Sequence, residues 1–215
     1  MTTTTTRPDT VATAVRHAPR FGWLLPVGPV LLLAGQAFHP DEPSNGAALY
    51  DVLRDHRTTW FVAHALMLAG IACFGPALLR LAGTVRDATP KLSVLGAVTA
   101  ILGASGAAAA FGASLVLTEA GRGSQGQMAA YLDRVLQGPG AALFVLVPGL
   151  IVSLAVSLGA LARTGRVSWK VAALAPLGLA VGIATPEPVA CFGTSLCVVA
   201  LVLVGRRLDA TSAIS

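Results

Sequence analysis

The chain has 215 residues, of which 54% are hydrophobic and only 12% are Asp, Glu, Lys or Arg, and its mean hydropathy is +0.73. A soluble domain carries about 25% charged residues, so the composition excludes an ordinary soluble domain and a disordered protein. The net charge of +5 is not clustered, since the longest basic run is the pair Arg206-Arg207. Nucleic-acid binding needs clustered cations interleaved with aromatic residues, and it is therefore excluded as well. The remaining class is a chain whose solvent is partly lipid.

The chain divides into a short tail, a long apolar region and a second tail. Residues 1–20 are Thr-rich and basic without a sustained apolar face, which predicts a disordered tail. Eighteen residues of helix extend about 27 Å, enough to cross the hydrocarbon core of a bilayer. We therefore expect an all-α membrane bundle of six transmembrane helices over residues 21–205, followed by a tail at 206–215. The six apolar segments are 21–38, 59–82, 92–118, 138–162, 168–185 and 188–205.

The distribution of positive charge supports six spans. Cytoplasmic loops of membrane proteins carry an excess of Lys and Arg. With six spans and a cytoplasmic N-terminus, eleven of the fifteen cations lie inside, and only Arg54, Arg57, Arg122 and Arg134 lie outside. Five spans would move Arg206 and Arg207 outside and weaken this asymmetry to nine against six. The expected topology therefore has both termini in the cytoplasm.

Two stretches in the long outer loops have helical apolar spacing. They are residues 46–56 and 126–137, and each carries one tyrosine, Tyr50 and Tyr131. An amphipathic helix with an aromatic residue is typical of a membrane interface. We expect both stretches to form short helices that lie along the outer surface of the membrane, with the two tyrosines at headgroup depth.

Some of these features recur at a spacing of 80 residues. Residues 81–86 and 161–166 are identical at four of six positions, and Gly46 and Gly126, which open the two amphipathic stretches, share the same spacing. One hypothesis is a tandem repeat of similarly oriented units within 21–205. The alternative is chance matching between Ala- and Leu-rich segments.

The predicted spans also contain small residues, prolines and cysteines. Gly106-Ala110-Ser114 and Gly178-Gly182 have the spacing at which helices approach closely in lipid, and such faces are also candidates for homo- or hetero-oligomer contacts. Prolines inside the spans predict kinked or broken helices. The three cysteines have no disulfide or metal-site spacing and are interpreted as packing residues. The prolines are Pro26, Pro29, Pro76, Pro148 and Pro176, and the cysteines are Cys73, Cys191 and Cys197.

The middle of every span lacks charge. Ion-coupled carriers keep ionisable residues near the bilayer centre, so this pattern argues against such a carrier. The polar residues that remain are mostly hydroxyls, which usually bond carbonyls of their own helix. They are Gln36, Thr99, Ser105, Ser153, Ser157, Thr194 and Ser195.

Three of the four histidines fall on the outer side of the first two spans. His39 ends span one, His56 closes the first amphipathic stretch, and His64 lies one turn inside span two. Asp41, Glu42 and Asp55 lie nearby in the sequence. Imidazoles and carboxylates together suit a metal ion, and imidazoles suit a haem iron, so these residues are the candidate metal ligands; an acid–base catalytic pocket is a third interpretation.

A simpler interpretation of the histidines needs no ligand. His39 caps the first helix, His56 is solvated, and His64 bonds a neighbouring helix with Trp60 as an interfacial anchor. No HExxH, CxxC or H-x3-H spacing is present, so no cofactor is expected from the sequence, and a metal ion or haem is the alternative.

The layout resembles the small multi-pass membrane proteins of unknown function that are common in actinobacteria. The resemblance covers residues 21–205 in architecture and consists of an Arg-, Ala- and Gly-rich chain, an acidic loop after span one, and a Trp-x3-His entry to span two at Trp60 and His64. It implies a bacterial plasma-membrane location and no assigned chemistry, and it carries over no catalytic residue.

No GxSxG or Walker A motif occurs, so neither a hydrolase nor a P-loop nucleotide-binding protein is indicated. We interpret the chain as a non-enzymatic membrane protein that is a scaffold, an accessory subunit or a bundle responsive to a small molecule. The alternatives are a metal- or haem-binding protein with an outer-face histidine site, and a transporter of an apolar or zwitterionic solute. The expected partner is the lipid bilayer.

Overall fold

A computed structural model describes residues 21–40, 45–138, 144–186 and 188–212, without the side chains of Leu136, Thr211 and Ser212. Helices and turns account for the structure within these ranges, which contain no β-strand. The α-helices in chain order are α1 Val27–Phe38, α2 Gly46–Asp55, α3 Arg57–Gly83, α4 Pro90–Leu117, α5 Gln125–Gln137, α6 Pro148–Arg163, α7 Trp169–Ala184 and α8 Val189–Ser212. Single turns of 3-10 helix lie at Gly22–Leu24 and Ala120–Arg122.

The helix ends follow from local chemistry. The Asn45 side chain accepts a hydrogen bond from the Ala48 N–H at the start of α2, and Ser168 caps α7 in the same way. After α6 the chain turns through Gly165 at φ +73°, the left-handed region in which glycine has no steric penalty. There the Arg166 N–H donates to the Leu161 carbonyl at 3.0 Å, which closes the helix end.

The prolines start helices more often than they kink them. Pro26 precedes α1, Pro29 lies in its first turn, and Pro148 begins α6, where a missing N–H leaves no bond unmade. Pro76 and Pro176 lie inside helices beyond the first turn. The expected breaks at Pro26 and Pro148 are present, since turns at 25–26 and 145–147 interrupt the spans predicted at 21–38 and 138–162. Pro29 does not interrupt α1.

Six apolar helices form a closed ring. Helices α1, α3, α4, α6, α7 and α8 pack each against the next in this order, and α8 returns to pack against α1. Glycines permit the closest approaches: a Cβ on Gly22 would lie 2.3 Å from the Gly205 carbonyl oxygen, and one on Gly193 would lie 2.6 Å from the Gly182 nitrogen. The predicted close packing through Gly178 and Gly182 is confirmed, since both contact α8.

The two ends of the ring differ. At one end α2 and α5 pack against each other and against Ala120–Arg122, and we call this the capped end. At the other end the α3–α4 and α6–α7 turns meet, where Arg166 donates to the Thr84 carbonyl oxygen at 3.1 Å. The Gly22 N–H also donates to Asp209 Oδ1 there, at 3.1 Å. The start and the end of the described bundle therefore lie together, opposite the cap.

The two amphipathic helices bury their apolar faces against each other. Leu49, Tyr50, Leu53 and Leu132 form a second core with Trp60. The Tyr50 hydroxyl donates to the Gly123 carbonyl oxygen at 2.9 Å. Helix–helix packing therefore gives the Tyr50 ring an apolar environment inside the protein, whereas Tyr131 is exposed. The headgroup depth of the two tyrosines stays a prediction.

Three helices are long and apolar enough to cross a membrane, namely Arg57–Gly83, Pro90–Arg122 and Val189–Ala210, and three shorter apolar helices complete the ring. In the segment expected as a span at 138–162, Phe144 is helical, residues 145–147 form a turn and α6 begins at Pro148, while residues 139–143 lie outside the described residues. The turn at 145–147 therefore interrupts the expected span. Large apolar side chains of α4 point outward, including Val94, Val98 and Ile101 at 63%, 48% and 53% exposure. Such a surface is typical of contact with lipid.

Two of the span hydroxyls follow the expected pattern, since Thr99 donates to Leu95 and Ser195 donates to Cys191, each within its own helix. Ser153 instead donates from α6 to the Gly96 carbonyl oxygen of α4 at 2.8 Å. Ser157 Oγ is buried without a partner among the described residues. The three cysteines form no disulfide; Cys197 is buried as expected for a packing residue, whereas Cys73 is exposed.

Candidate functional site

The ring surrounds a partly open cavity of about 560 Å³ in the half of the bundle nearest the capped end. Each of the six helices contributes to its wall. The opposite half of the ring is filled by fully buried side chains such as Phe74, Leu158 and Leu201. The cavity wall includes Gln36, His64, Phe111, Leu150, Gly182 and Thr194, one residue from each helix.

The residues of the cavity wall also show in which direction each helix runs. The cavity contacts the C-terminal parts of α1, α4 and α7, at residues such as Gln36, Ser114 and Gly182. It contacts the N-terminal parts of α3, α6 and α8, at residues such as His64 and Leu150. Neighbouring helices therefore alternate in direction around the ring.

Four aromatic rings contact one another on one side of the cavity, in tilted and edge-to-face arrangements. The His64 ring centroid lies 4.4 Å from that of Trp60, 4.8 Å from that of His39 and 6.2 Å from that of Phe111. His39 and Trp60 are 5.0 Å apart. Helices α3 and α1 are antiparallel neighbours, so the C-cap residue of α1 meets the first turns of α3. The sequence expectation that His39 and His64 lie at similar depth is consistent with this contact.

Hydrogen bonds fix the polar groups of this side. His64 Nδ1 lies 3.0 Å from the Trp60 carbonyl oxygen. A carbonyl oxygen only accepts, so Nδ1 carries the proton and Nε2 is the acceptor of the neutral ring. The Trp60 indole N–H donates to the Ser114 carbonyl oxygen of α4 at 3.0 Å. His64 therefore bonds its own helix, and Trp60 makes the link between helices that the simpler interpretation assigned to His64.

Gln36 ties α1 to α7 across the cavity. Its Nε2 donates to the Gly182 carbonyl oxygen at 2.8 Å, while its Oε1 is buried and has no hydrogen-bond partner among the described residues. A buried polar atom without a partner is costly. The sequence showed Gln36 only as a polar residue in an apolar span. Its role as a link between α1 and α7 follows from the packing of the helices.

No Asp, Glu, Lys or Arg lines the cavity within the part of the chain that the structure describes. The charged groups nearest in the fold are on the cap, where Glu119 pairs with Arg57 and Arg122. Arg54 and Asp55 also pair at 2.8 Å. Their hydrogen bond raises the pKa of Arg54 and lowers the pKa of Asp55. The cap is thus charged, and the cavity below it is neutral.

The three candidate metal-binding histidines do not share one place. His39 and His64 are in ring contact, whereas His56 is exposed at the junction of α2 and α3. Asp55 is exposed and paired with Arg54, and Asp41 and Glu42 lie outside the described residues. No group of three or more His, Cys, Asp or Glu side chains with metal-site geometry occurs among the residues that the structure describes. The metal site stays a prediction.

Comparison with known proteins yields no matching family model, no similar curated protein and no similar solved structure.

Proposed function

We propose that the chain is a non-enzymatic, six-span protein of a bacterial plasma membrane, and that its central cavity binds a single-chain amphiphilic molecule. The observation that carries the proposal is the 560 Å³ cavity, which lies among six apolar helices and whose described lining residues are uncharged. Binding sites for small molecules have volumes of about 300–1,000 Å³ with mostly apolar walls and few polar groups. Binding in such a site is how a membrane bundle responds to a small molecule.

Several features support six spans. The six apolar helices alternate in direction, and the described bundle begins and ends at the same end, as an even number of crossings requires. The capped end carries all four cations expected outside, namely Arg54 in α2, Arg57 at the start of α3, Arg122 in the 3-10 turn and Arg134 in α5. Helices α6 and α7 have 16 residues each, or about 24 Å at 1.5 Å per residue, so they cross only with their flanking turns or a locally thinned bilayer.

Tryptophan fluorescence tests the proposal, because Trp60 lies against the His64 ring of the cavity wall and is itself 2% exposed. The other two tryptophans, Trp23 and Trp169, are exposed on the bundle surface, and replacing both with Phe leaves Trp60 as the sole reporter. Brominated dodecyl amphiphiles quench tryptophan at contact range. In lipid nanodiscs we expect saturable quenching of Trp60, because occupancy of one site saturates while partition into lipid does not.

Two alanines of α4 provide a matched pair of controls. Ala107 is buried on the cavity wall, whereas Ala109 is exposed on the same helix. Ala107→Leu fills part of the cavity and is expected to weaken saturable quenching about tenfold, while Ala109→Leu leaves it unchanged. Quenching that rises linearly with probe concentration, or that is equal in both variants, would contradict a ligand in the cavity.

A divalent metal is the second candidate ligand, favoured by the contact between His39 and His64. Metal–nitrogen bonds of about 2.0–2.1 Å place the centroids of trans imidazoles more than 6 Å apart. The observed 4.8 Å fits adjacent positions on one metal, so a haem held between the two histidines is disfavoured. Cobalt titration of the purified protein tests this: visible d–d bands lost in His39→Phe and in His64→Phe, and kept in His56→Phe, would support the metal.

A further inference from the structure

From the free acceptors of the wall we infer that the cavity selects a neutral amphiphile whose head donates a hydrogen bond, that is, a hydroxyl group on a single apolar chain. This inference rests on the proposed function and adds the chemistry of the ligand. It is based on which donors and acceptors of the cavity wall already make hydrogen bonds within the protein.

Most donors of the described wall bond within the protein. His64 Nδ1 donates to the Trp60 carbonyl oxygen, and the hydroxyls of Ser114 and Thr185 donate to carbonyls one turn back in their own helices. One of the two N–H groups of Gln36 Nε2 donates to Gly182, and the other stays available to a ligand. The buried Thr194 hydroxyl and the half-buried His39 ring can each donate and accept, so a ligand group that does both, as a hydroxyl does, matches this wall.

Two acceptors are left over. Gln36 Oε1 is buried without a partner, and His64 Nε2 makes no hydrogen bond with any described residue. An unpaired acceptor in an apolar environment favours any ligand that brings a donor. Ethers, ketones and alkanes do not supply one, whereas an alcohol does.

The lack of charged side chains in the described wall favours a hydroxyl over an ammonium group as the donor of the ligand. An ammonium group also donates, but a charge in an apolar medium is costly without a counter-ion. No carboxylate of the described residues lines the cavity, so a neutral hydroxyl is favoured over an amine.

The volume limits the rest of the ligand. At about 30 Å³ per water-sized group, 560 Å³ accommodates about 19 non-hydrogen atoms. A single twelve-carbon chain with one hydroxyl matches this volume. The apolar side chains that would surround the chain include Leu32, Met67, Ile71 and Leu179.

The experiment compares three brominated probes of equal chain length on the sole-Trp60 protein in nanodiscs: a dodecanol, its methyl ether and a dodecane. We expect the alcohol to give saturable quenching at a concentration about tenfold lower than the ether or the alkane. In His64→Phe, which keeps an aromatic ring but removes the acceptor, and in Gln36→Leu, the alcohol is expected to bind no better than the ether.

The outcomes separate this inference from the proposed function. Equal saturable quenching by all three probes would overturn hydroxyl selection and leave the cavity as a binding site. An alcohol that binds His64→Phe and Gln36→Leu as tightly as the parent would also overturn it. Absence of saturable quenching by every probe would overturn both. Ala109→Leu, on the outer face of α4, serves as the variant whose binding is expected to stay unchanged, and circular dichroism checks that each variant is folded.

Discussion

At the scale of single residues, side chains that link helices hold the ring together around its cavity. Trp60 joins α3 to α4, Gln36 joins α1 to α7, and Ser153 joins α6 to α4, each through a bond to a backbone carbonyl. Two of these links border the cavity. The residues that bound the candidate binding site therefore also fix the positions of its helices.

Trp60→Phe is expected to destabilise the bundle. The substitution removes the indole N–H and leaves the Ser114 carbonyl oxygen without that donor, and an orphaned buried acceptor costs about 1–3 kcal/mol. Equilibrium unfolding in mixed detergent micelles measures the change in the free energy of unfolding. Trp169→Phe is the control, since Trp169 is exposed, and equal effects of the two substitutions would contradict a structural role for the Trp60 bond.

Gly193→Ala is expected to disrupt the α7–α8 contact. Its Cβ would lie 2.6 Å from the Gly182 nitrogen and 2.7 Å from the Gly178 oxygen, so the helices must separate, and overpacking of this kind typically costs about 1–3 kcal/mol. Gly112→Ala in α4 meets nothing within 4 Å and is expected to be neutral or stabilising. Unfolding midpoints of the two variants would show the contrast, and a stable Gly193→Ala would refute the close approach.

The sequence identified part of the site at this scale. Trp60, His39 and His64 could be predicted to lie together, because one histidine ends an apolar segment and the other begins the next. The separation of His56 could not be predicted, since a short helix places it on the cap. The role of Gln36 was also invisible, because its partner Gly182 lies 146 positions away in the sequence and has no distinguishing side chain.

At the scale of elements, the cap depends on a contact between two helices that are marginal alone. Helix α2 has 10 residues and α5 has 13, and helices of this length are unstable in isolation. Their apolar faces meet over Leu53 and Leu132, which are both fully buried. The Asp133 carboxylate of α5 accepts from the Gly46 N–H at 2.6 Å, at the N-terminus of α2, where a negative charge is favourable.

Asp133→Ala is expected to loosen α2. It removes the bond to Gly46 and the favourable charge, with a loss of about 1 kcal/mol. Hydrogen exchange of peptides that cover 46–55 should become faster by several-fold. Asp51→Ala, which removes an exposed pair with Arg54 at 3.4 Å, should change exchange little. Equal exchange in both variants would argue against the α2–α5 contact.

The cap also has a predicted acid response. The hydrogen bond from Arg54 lowers the pKa of Asp55 from its usual 3.8. A carboxylate with a depressed pKa in the folded state stabilises it above the unfolded pKa and loses that contribution as the pH falls through the folded pKa. NMR titration of the Asp55 carboxyl should give a pKa below 3.8, and Arg54→Ala should raise it. An unchanged pKa in Arg54→Ala would contradict the pairing.

The helices and their boundaries show what the sequence patterns could predict and what they could not. Two short helices could be predicted from their apolar spacing, but their mutual packing could not, because each pattern shows that an apolar face exists and not what covers it. The start of α6 at Pro148 differs from the expected span because the chain forms a turn at 145–147, within a continuous run of apolar residues.

At the scale of the whole molecule, a closed ring of alternating helices explains the distribution of charge and the presence of a cavity. Composition alone was sufficient to predict an all-helical apolar protein. Ring closure was not predictable, since the contact of α1 with α8 joins the two ends of the bundle and hydrophobic periodicity is local. The number of crossings and their orientation follow from the ring only if the whole ring lies in a membrane.

Site-directed labelling tests most directly whether six helices cross a membrane around one cavity. In a protein with Cys73, Cys191 and Cys197 replaced by Ala, a cysteine is introduced at Ser124 on the cap or at Thr164 in the opposite turn. An impermeant maleimide added to intact cells should label Ser124→Cys only, and tags at both termini should react only after the membrane is opened. Labelling of both positions from the same side, or termini on opposite sides, would contradict six spans.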